Sequence, residues 1–206
     1  MEKGVIILCG GKSTRMGRDK ATLPFGPERM LQRVIRRLSE VVDLRHIVVV
    51  ASVDQDLPDI PAQVTLAFDR QPERGPLEGL KAGLQAIDPS VEAVFATSCD
   101  VPLLVPGFVE RMFELLGPDD IAAPRDDQRC HPLAAVYRTS ALIVIQQLLD
   151  ANRLRMRDLF EQVKTREIPI AELRDVDPQL GSLQNLNHPE DYQRAMALAG
   201  FLDNVD

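Results

Sequence analysis

The stretch Leu8–Lys20 near the start of the chain contains the residue types that bind polyphosphates. It reads Leu-Cys-Gly-Gly-Lys-Ser-Thr-Arg-Met-Gly-Arg-Asp-Lys and follows an apolar run at 4–8 that predicts a buried strand. Glycines let backbone N–H groups approach a ligand closely, and Arg15 and Lys20 supply the positive charge that a polyphosphate needs. We therefore expect a phosphate-binding loop directly after the first strand.

This loop matches neither of two widespread phosphate-binding patterns. A Walker loop needs a glycine five residues before its Gly-Lys-Ser/Thr triplet, but the residue five places before Gly11 is Ile6. The dinucleotide pattern Gly-x-Gly-x-x-Gly fails because Lys12 stands two places after Gly10. An ordinary βα turn with solvated cations is the alternative. The Gly-Gly pair alone would not distinguish the two, and the length of the whole run favours phosphate binding.

Two aspartates close further apolar runs and therefore lie at the predicted ends of strands. Asp69 follows 64–68, and Asp100 follows 94–99. An aspartate at a strand end is commonly a turn residue or a helix cap. Ligands of open α/β sheets bind beyond the carboxyl ends of the strands, which would place Asp100 opposite the cationic loop. Because Mg²⁺ prefers one or two carboxylates together with phosphate oxygens, the sequence points to a Mg²⁺ site at Asp100 and to phosphoryl or nucleotidyl transfer.

The elements that must position these residues alternate between strand and helix. Such alternation predicts an α/β fold of three α/β/α layers, Rossmann-like, with a mostly parallel sheet. After Pro124 the pattern is less regular, and 167–181 is expected to hold a short strand and a loop. The main predicted strands are 4–8, 47–51, 64–68, 94–99, 121–123 and 132–138, and the predicted helices are 31–38, 76–87, 106–116, 140–149, 156–163 and 189–199.

Composition restricts the class of partner. The 206 residues carry a net charge of −7, which argues against general nucleic-acid binding. No apolar run approaches the roughly 18 residues that span a bilayer, so we expect no membrane association. The first residues lead directly into strand one, which leaves no room for a signal peptide, and three widely spaced cysteines do not form a disulfide framework. A cytoplasmic protein with reduced thiols is the expectation.

Taken together, these motifs resemble the molybdenum cofactor guanylyltransferases, a MobA-like family of nucleotidyltransferases. The first loop and Cys-Asp-x-Pro-Leu are shared with cytidylyl and sugar nucleotidyl transferases. The Gly-Gly form of the loop, Gly-Pro-Leu-x-Gly, His-Pro-Leu and the final Asn-x-Asn-x-Pro-Glu-Asp favour the guanylyl branch. The matching segments span nearly the whole chain and are 8–20, 75–79, 99–104, 131–138, 157–159 and 185–191.

The resemblance implies a fold of the nucleotide-diphospho-sugar transferase type and a single domain over 1–200. Its nucleotide-binding half would be about 1–104, its acceptor-binding half about 105–200, and 201–206 would be a tail. The implied reaction joins GTP to molybdopterin. The terminal phosphate of molybdopterin attacks the α-phosphorus of GTP, pyrophosphate leaves, and molybdopterin guanine dinucleotide forms. The partners implied are GTP, molybdopterin, and proteins that deliver molybdopterin or act as chaperones of molybdoenzymes.

The resemblance also assigns roles to individual residues. The implied catalytic residues are Arg15, Lys20 and Asp100, with Asp100 as the Mg²⁺ ligand. The implied nucleotide-binding residues are Leu8, Cys9, Gly10, Gly11, Lys20, Ala51, Asp69, Gly75, Pro76, Leu77, Gly79 and Asp100. The implied acceptor-binding residues are His131, Arg138, Arg155, Arg157 and Asn187.

Two residues depart from the family pattern. Cys9 stands where alanine is usual, and Ala51 ends the second strand where the family often has an asparagine that contacts the nucleotide. Backbone groups around Ala51 and Ser52 are the alternative means of reading guanine. If strands one and four are neighbours, Cys9 and Cys99 lie close together, and Cys130 would approach them as part of a zinc or redox site. Small buried thiols without chemistry are the simpler interpretation.

Several alternatives remain open at this point. His131 is either an acceptor contact or a turn residue, and the arginines after Pro124 line either a groove for molybdopterin phosphate or a solvated surface. The protein would also fit a molybdopterin cytidylyltransferase, a nucleotidyltransferase for sugar or polyol phosphates, or a non-catalytic carrier of molybdopterin. The joint presence of Arg15, Lys20 and Asp100 favours catalysis.

Overall fold

A seven-stranded sheet runs through the middle of the molecule in this computed structural model, which describes residues 1–10, 19–69 and 71–202. Its strands are β1 Lys3–Leu8, β4 Ile47–Ser52, β5 Thr65–Asp69, β6 Ala93–Ser98, β7 Ile121–Arg125, β8 Ala135–Arg138 and β9 Thr165–Pro169. Two short strands, β2 Pro24–Phe25 and β3 Glu28–Arg29, pair with each other outside this sheet. The helices are α1 Met30–Leu38, α2 Pro76–Ala86, α3 Pro106–Leu116, α4 Leu142–Asp150, α5 Met156–Gln162 and α6 Pro189–Leu198.

The sheet is mostly parallel, as predicted. Its order is β5-β4-β1-β6-β8-β7-β9, and β8 runs antiparallel to both of its neighbours. The other pairs, including β1 with β4 and β1 with β6, are parallel. The carboxyl ends of β1, β4, β5, β6 and β7 therefore share one edge of the sheet, and β8 begins at that same edge.

Alternate residues of the strands form two hydrophobic cores, one on each face of the sheet. On one face, Val5 and Ile7 pack with α1 and α3. On the other face, Ile6 and Leu8 pack with α2, α4 and α5. This arrangement confirms the three-layer α/β/α prediction, and the continuous burial of the central strands is typical of a sheet covered on both faces.

Helix α2 lies unusually close to β1 because its inward face carries glycines. A β-carbon at Gly83 would lie 2.5 Å from Cγ2 of Ile6, and one at Gly79 would lie 3.2 Å from Cδ2 of Leu8. Both are shorter than ordinary contacts between carbon atoms. The glycines therefore set the distance between the start of α2 and the end of β1.

The second half of the chain differs from the prediction in detail. The strand expected over 132–138 begins three residues later, because Pro132–Ala134 form a 3₁₀ turn. The helix expected from residue 140 likewise begins at Leu142, after a 3₁₀ turn at Thr139–Ala141. The sequence analysis also missed the hairpin of β2 and β3, which turns at Gly26 with φ +61°.

The C-terminal helix returns to the beginning of the chain. A third cluster joins α6 to the β2–β3 hairpin through Phe25, Met30, Leu186 and Ala195. Phe201 packs edge-on against Phe25, with ring centroids 5.6 Å apart. Over the residues that the structure describes, no helix is long and apolar enough to cross a membrane.

Candidate active site

Asp100 lies two residues after the end of β6, at the carboxyl edge of the sheet, and its carboxylate accepts several hydrogen bonds. Its Oδ1 accepts hydrogen bonds from the Ser98 hydroxyl at 2.5 Å and from Asn185 Nδ2 at 2.8 Å. Asn185 Nδ2 also donates to Ser98 Oγ at 3.0 Å. The backbone N–H of Leu186 donates to the Asp100 carbonyl at 3.0 Å, which fixes the C-terminal segment beside this strand end.

Lys20 binds the other oxygen of the same carboxylate. Its Nζ lies 2.7 Å from Asp100 Oδ2 and donates to Asn187 Oδ1 at 3.1 Å. The ammonium group therefore bridges residues from the first loop, from β6 and from the C-terminal segment. Asp19, immediately before Lys20, accepts a hydrogen bond from the Ala21 N–H and caps the short 3₁₀ turn that carries the lysine.

A first cleft of about 290 Å³ opens beside β1, β4 and the start of α2. Gly75 has φ +78° and stands directly before Pro76, the first residue of α2. The positive φ favours glycine there, and the fixed φ of proline suits the first helical position. The cleft is lined by Leu8, Gly10, Val50, Asp69, Gly75, Pro76, Gly79, Ser98 and Leu133.

Asp69 places a buried carboxylate on the wall of the first cleft. Its Oδ1 accepts a hydrogen bond from the Gln71 N–H at 2.8 Å, which closes the turn after β5. Burial raises the pKa of Asp69, and the nearby Glu78 carboxylate acts in the same direction. Of the two carboxylates, Asp69 lines the cleft, whereas Glu78 forms ion pairs with Arg74 and Lys81.

A second cleft of about 330 Å³ lies beside the turn before β8 and includes Asn185, which is bonded to Asp100. His131 Nε2 pairs with Asp126 Oδ2 at 2.8 Å at its border. Backbone N–H groups of Arg129 and Gln128, followed by the His131 ring, lower the pKa of Asp126 to about 2. The cleft is lined by Arg129, Cys130, His131, Pro132, Leu133, Ala134, Ser182, Leu183 and Asn185.

Asp100 is hydrogen-bonded to one residue of each cleft. Ser98 lines the first cleft and Asn185 lines the second, and both donate to the same oxygen, Asp100 Oδ1. Leu133 borders both. Two ligands bound in these clefts would therefore meet beside one carboxylate, with the ammonium of Lys20 at the same point.

Comparison with known proteins assigns this architecture to a family. A model of the MobA-like NTP transferase domain matches residues 5–167. The chain belongs to the MobA-like NTP transferase family. The probable molybdenum cofactor guanylyltransferase of Methanosarcina acetivorans is 30% identical, over 93% of this chain and 88% of the relative. The corresponding protein of Mycobacterium avium is 33% identical, with 97% of each chain covered.

Solved structures of the family and its neighbours share the fold. Molybdopterin-guanine dinucleotide biosynthesis protein A from Archaeoglobus fulgidus superposes with a TM-score of 0.78 at 21% identity, covering 97% of this chain and all of that chain. A 2-C-methyl-D-erythritol 4-phosphate cytidylyltransferase from Thermus thermophilus gives 0.71 at 16% identity, covering 97% and 100%. These likenesses confirm the predicted fold of the nucleotide-diphospho-sugar transferase type.

The structure brings several of the predicted MobA-like site residues together and leaves others outside the described part of the chain. Lys20 is bonded to both Asp100 and Asn187, as described above. Gly11 and Arg15 lie outside the described residues. The predicted residues that line the first cleft are Leu8, Gly10, Asp69, Gly75, Pro76 and Gly79.

Three predicted nucleotide-binding residues have side chains that face a core rather than the first cleft, which leaves their backbone groups for any contact with the nucleotide. Ala51 is fully buried on the α1 side of the sheet, and Val50, one residue earlier, lines the cleft instead. Leu77 is fully buried in the core under α2. Cys9 points into the core on the α1 side, and its carbonyl accepts a hydrogen bond from Gln55 Nε2 at 2.8 Å.

The predicted acceptor arginines are not gathered at the second cleft. Arg138 pairs with Ala93 at the opposite edge of the sheet and donates to the carbonyls of Gly117 and Asp119, so its predicted role is corrected. Arg155 directly precedes α5 and lies near the first cleft instead. Its neighbour Leu154 is close to Gly75, because a β-carbon at Gly75 would lie 3.9 Å from the Leu154 carbonyl oxygen. The side chain of Arg157 is 85% exposed and pairs with Glu161.

The cysteines form a pair rather than a cluster. β1 and β6 are neighbours, as expected, and a hydrogen bond with Cys99, together with burial, raises the pKa of the Cys9 thiol. Cys130 instead contacts Arg125 and Glu167. Over the described ranges no group of three or more His, Cys, Asp or Glu side chains could hold a metal ion, and Cys9 and Cys99 are buried whereas Cys130 is half-buried.

Sequence reasoning overlooked Ser98 and Asn185. Asn185 belongs to the final Asn-x-Asn motif, and Ser98, the last residue of β6, stands two residues before Asp100. Alternation along a strand puts residues two apart on the same face. That spacing was the one available sign that Ser98 would reach Asp100.

Proposed function

We propose that this protein is a molybdenum cofactor guanylyltransferase, which transfers GMP from GTP to the phosphate of molybdopterin. A phosphate oxygen of molybdopterin forms a bond to the α-phosphorus of GTP, the bond from that phosphorus to the bridging oxygen of the β-phosphate breaks, and pyrophosphate leaves. The family relationship and the names of relatives that match over most of their length support this reaction.

The hydrogen bonds that join Asp100 to one residue of each cleft carry the proposal. Transfer between two substrates requires that both reacting phosphates reach one point. Here the first cleft would hold GTP and the second would hold molybdopterin, and the Lys20 ammonium lies 2.7 Å from the carboxylate that is bonded to a residue of each cleft. A carrier protein would need a site for its cargo but not this convergence.

The donor set at this point suits Mg²⁺. Asp100 Oδ2 and Asn187 Oδ1 are hard oxygens, and both already contact one cation, the ammonium of Lys20. Mg²⁺ takes one or two carboxylates and completes its shell with phosphate oxygens and waters, so few protein ligands are needed. Asp100 would hold the ion with Asn187 beside it, and the bound ion would neutralise charge on the reacting phosphates.

The remaining residues act by binding and orientation. Lys20, now paired with Asp100, would turn to the triphosphate and, together with Arg15 of the first loop, neutralise the departing pyrophosphate. Asp69 and the turn at Gly75–Gly79 would contact the base or ribose of GTP in the first cleft. Because the attacking phosphate is already anionic, no side-chain nucleophile is required, and positioning and charge neutralisation supply the rate.

The second cleft would take the pterin. His131 is the predicted acceptor residue on its wall, Arg129 adds a cation there, and Asn187, a further predicted acceptor residue, accepts from Lys20. We place the nucleotide half at about 1–104 and the acceptor half at about 105–200 of a single domain, with 201–206 as a tail. Cytoplasmic location and exchange with molybdopterin-delivering proteins or molybdoenzyme chaperones belong to the same proposal.

Pyrophosphate release tests the reaction. Purified protein with Mg²⁺ and molybdopterin is given GTP, CTP or UTP in turn, and both pyrophosphate and the dinucleotide product are measured. We expect pyrophosphate release with GTP but not with CTP or UTP, and no release with any nucleotide when molybdopterin is omitted. Preference for CTP would identify a cytidylyltransferase, and GTP binding without any release would identify a carrier; either result contradicts the proposal.

A further inference from the structure

We propose that Ser98 is a positioning residue for this reaction: its hydroxyl, together with the Asn185 amide, fixes the carboxylate of Asp100 so that Oδ2 faces the site of transfer. The inference rests on the proposed function for its consequence, but its physical content is a hydrogen-bond network of this chain. Ser98 and Asn185 act through Asp100 and are therefore distinct from the groups that touch the reacting phosphates.

Three hydrogen bonds join Ser98 Oγ, Asn185 Nδ2 and Asp100 Oδ1 in a closed triangle. Asp100 Oδ1 accepts from Ser98 Oγ at 2.5 Å and from Asn185 Nδ2 at 2.8 Å, and the same amide donates to Ser98 Oγ at 3.0 Å. Ser98 and Asp100 are both buried. The two donors come from opposite parts of the chain, since Asn185 lies 87 residues beyond Ser98.

The consequence follows from how a carboxylate rotates. The terminal torsion of an aspartate is broad and roughly two-fold, so an unsupported carboxylate samples many orientations. Two donors on Oδ1 select one of them and leave Oδ2 for a cation, which Lys20 now contacts. Partners that orient a metal ligand in this way are typically worth 10- to 100-fold in metal affinity or activity.

The preceding residue supplies a matched control. Thr97 is fully buried in the same strand, and its Oγ1 has no hydrogen-bond partner within the described part of the chain. Thr97→Val and Ser98→Ala each remove one hydroxyl from adjacent positions of β6. Only the second removes a hydrogen bond to Asp100, so a difference between the two variants reports on the network and not on the strand.

Two measurements separate positioning from a merely structural role. The first is the affinity for Mn²⁺, used in place of Mg²⁺, by electron paramagnetic resonance with and without GTP. We expect Ser98→Ala to weaken it about 10-fold, and Thr97→Val to leave it unchanged. The second is the side-chain amide signal of Asn185 in ¹⁵N-resolved spectra, which should shift in Ser98→Ala and stay in place in Thr97→Val.

Rescue and kinetics complete the test. Ser98→Thr retains the hydroxyl and should recover most of the Mn²⁺ affinity and of kcat, while the KM for GTP stays near that of the wild type in every variant. Equal Mn²⁺ affinity in Ser98→Ala and wild type would overturn the proposal. So would a raised KM for GTP at unchanged metal affinity, because Ser98 would then be a nucleotide contact. Absence of nucleotidyl transfer by the wild type would refute the proposed function alone, since the metal and amide measurements do not depend on turnover.

Discussion

The contact between Lys20 and Asp100 shows how strongly this site depends on the charge of individual side chains. The ammonium is within 3.1 Å of oxygens from two other parts of the chain, and it carries the positive charge next to the point where the clefts meet. In a site that works by charge neutralisation, such a group contributes most when negative charge develops on the leaving pyrophosphate. The lysine should therefore affect turnover far more than folding.

Replacement of Lys20 tests that statement. We expect Lys20→Ala to lower kcat by about 10²- to 10³-fold, the size typical of removing one charge-stabilising donor. Pyrophosphate release measures the rate, and circular dichroism checks the fold. Lys164→Ala is the matched control, because Lys164 pairs with Asp119 at the opposite edge of the sheet and should leave kcat unchanged. Equal rates in both variants would remove Lys20 from the mechanism.

Asp69 offers a pH-dependent prediction whose sign can be worked out. Burial raises the pKa of Asp69 in the folded protein. The protonated side chain therefore favours folding, and this contribution is complete below the unfolded pKa of about 3.9. That contribution is lost as the pH rises through the raised folded value. Above the folded pKa, the ionised Asp69 therefore lowers the stability of the folded protein.

Asp69→Asn should thus raise the melting temperature at pH 7, and the gain should shrink as the pH falls toward 4. The amide oxygen can still accept the Gln71 N–H, so the turn after β5 is kept. We expect the same variant to bind GTP more weakly, as measured by calorimetry. A melting temperature that gains nothing at pH 7, or gains equally at pH 4 and pH 7, would contradict this account.

At the scale of elements, the patterns that could be predicted are those with strong periodicity. The apolar run before Asp100 reads as a buried strand from its own residues, and the position of Asp100 follows from it. The direction of β8 could not be predicted, since Pro132–Arg138 is compatible with either direction. The hairpin at Gly26 could not be predicted either, because two-residue strands carry no periodicity.

The limits of the site prediction have the same origin. Asp69, Gly75 and Asp100 stand at ends of elements, and sequence places such ends well. Which of Val50 and Ala51 faces the cleft depends on the register of β4 within the sheet, and that is a tertiary property. The contact of Ser98 with Asn185 joins segments 87 residues apart, for which one sequence contains no pairing signal.

The close approach of α2 to β1 yields a prediction about elements. Gly83→Ala would bring a β-carbon to 2.5 Å from Ile6, which is fully buried and has no space to move. We expect a loss of about 1–3 kcal/mol in unfolding free energy and weaker GTP binding, because α2 carries Gly79 at the cleft. Urea denaturation measures the first effect and calorimetry the second.

Gly107 in the first turn of α3 provides the control. A β-carbon there would lie 3.8 Å from Cβ of Val176, an ordinary contact, and Gly107 does not have a positive φ. Gly107→Ala should be neutral or stabilising by about 0.4–1 kcal/mol, since alanine lowers the entropy of the unfolded chain. If both variants behave alike, the spacing of α2 and β1 does not depend on Gly83.

At the scale of the whole molecule, the C-terminal helix packs against the β2–β3 hairpin that follows Lys20. Leu186, between the two asparagines that contact Lys20 and Asp100, is buried in the cluster formed with Phe25, Met30 and Ala195. Phe201 closes this cluster against Phe25, and the Arg33 guanidinium lies 5.0 and 5.3 Å from the two rings. The packing of the last helix therefore holds the second half of the site against the first.

This connection predicts that a distant core residue influences catalysis. Phe201→Ala should lower the unfolding free energy by about 2 kcal/mol, below the 3–5 typical of a fully buried phenylalanine because Phe201 is only partly buried. It should also raise the Mg²⁺ concentration needed for half-maximal activity, because Leu186 loses support and Asn185 and Asn187 with it. Leu198→Ala, at an exposed position of α6, should change stability by less than about 0.5 kcal/mol and leave the Mg²⁺ requirement unaltered. A Phe201→Ala protein that is destabilised but needs no more Mg²⁺ than the wild type would show that the cluster supports the fold without positioning the asparagines.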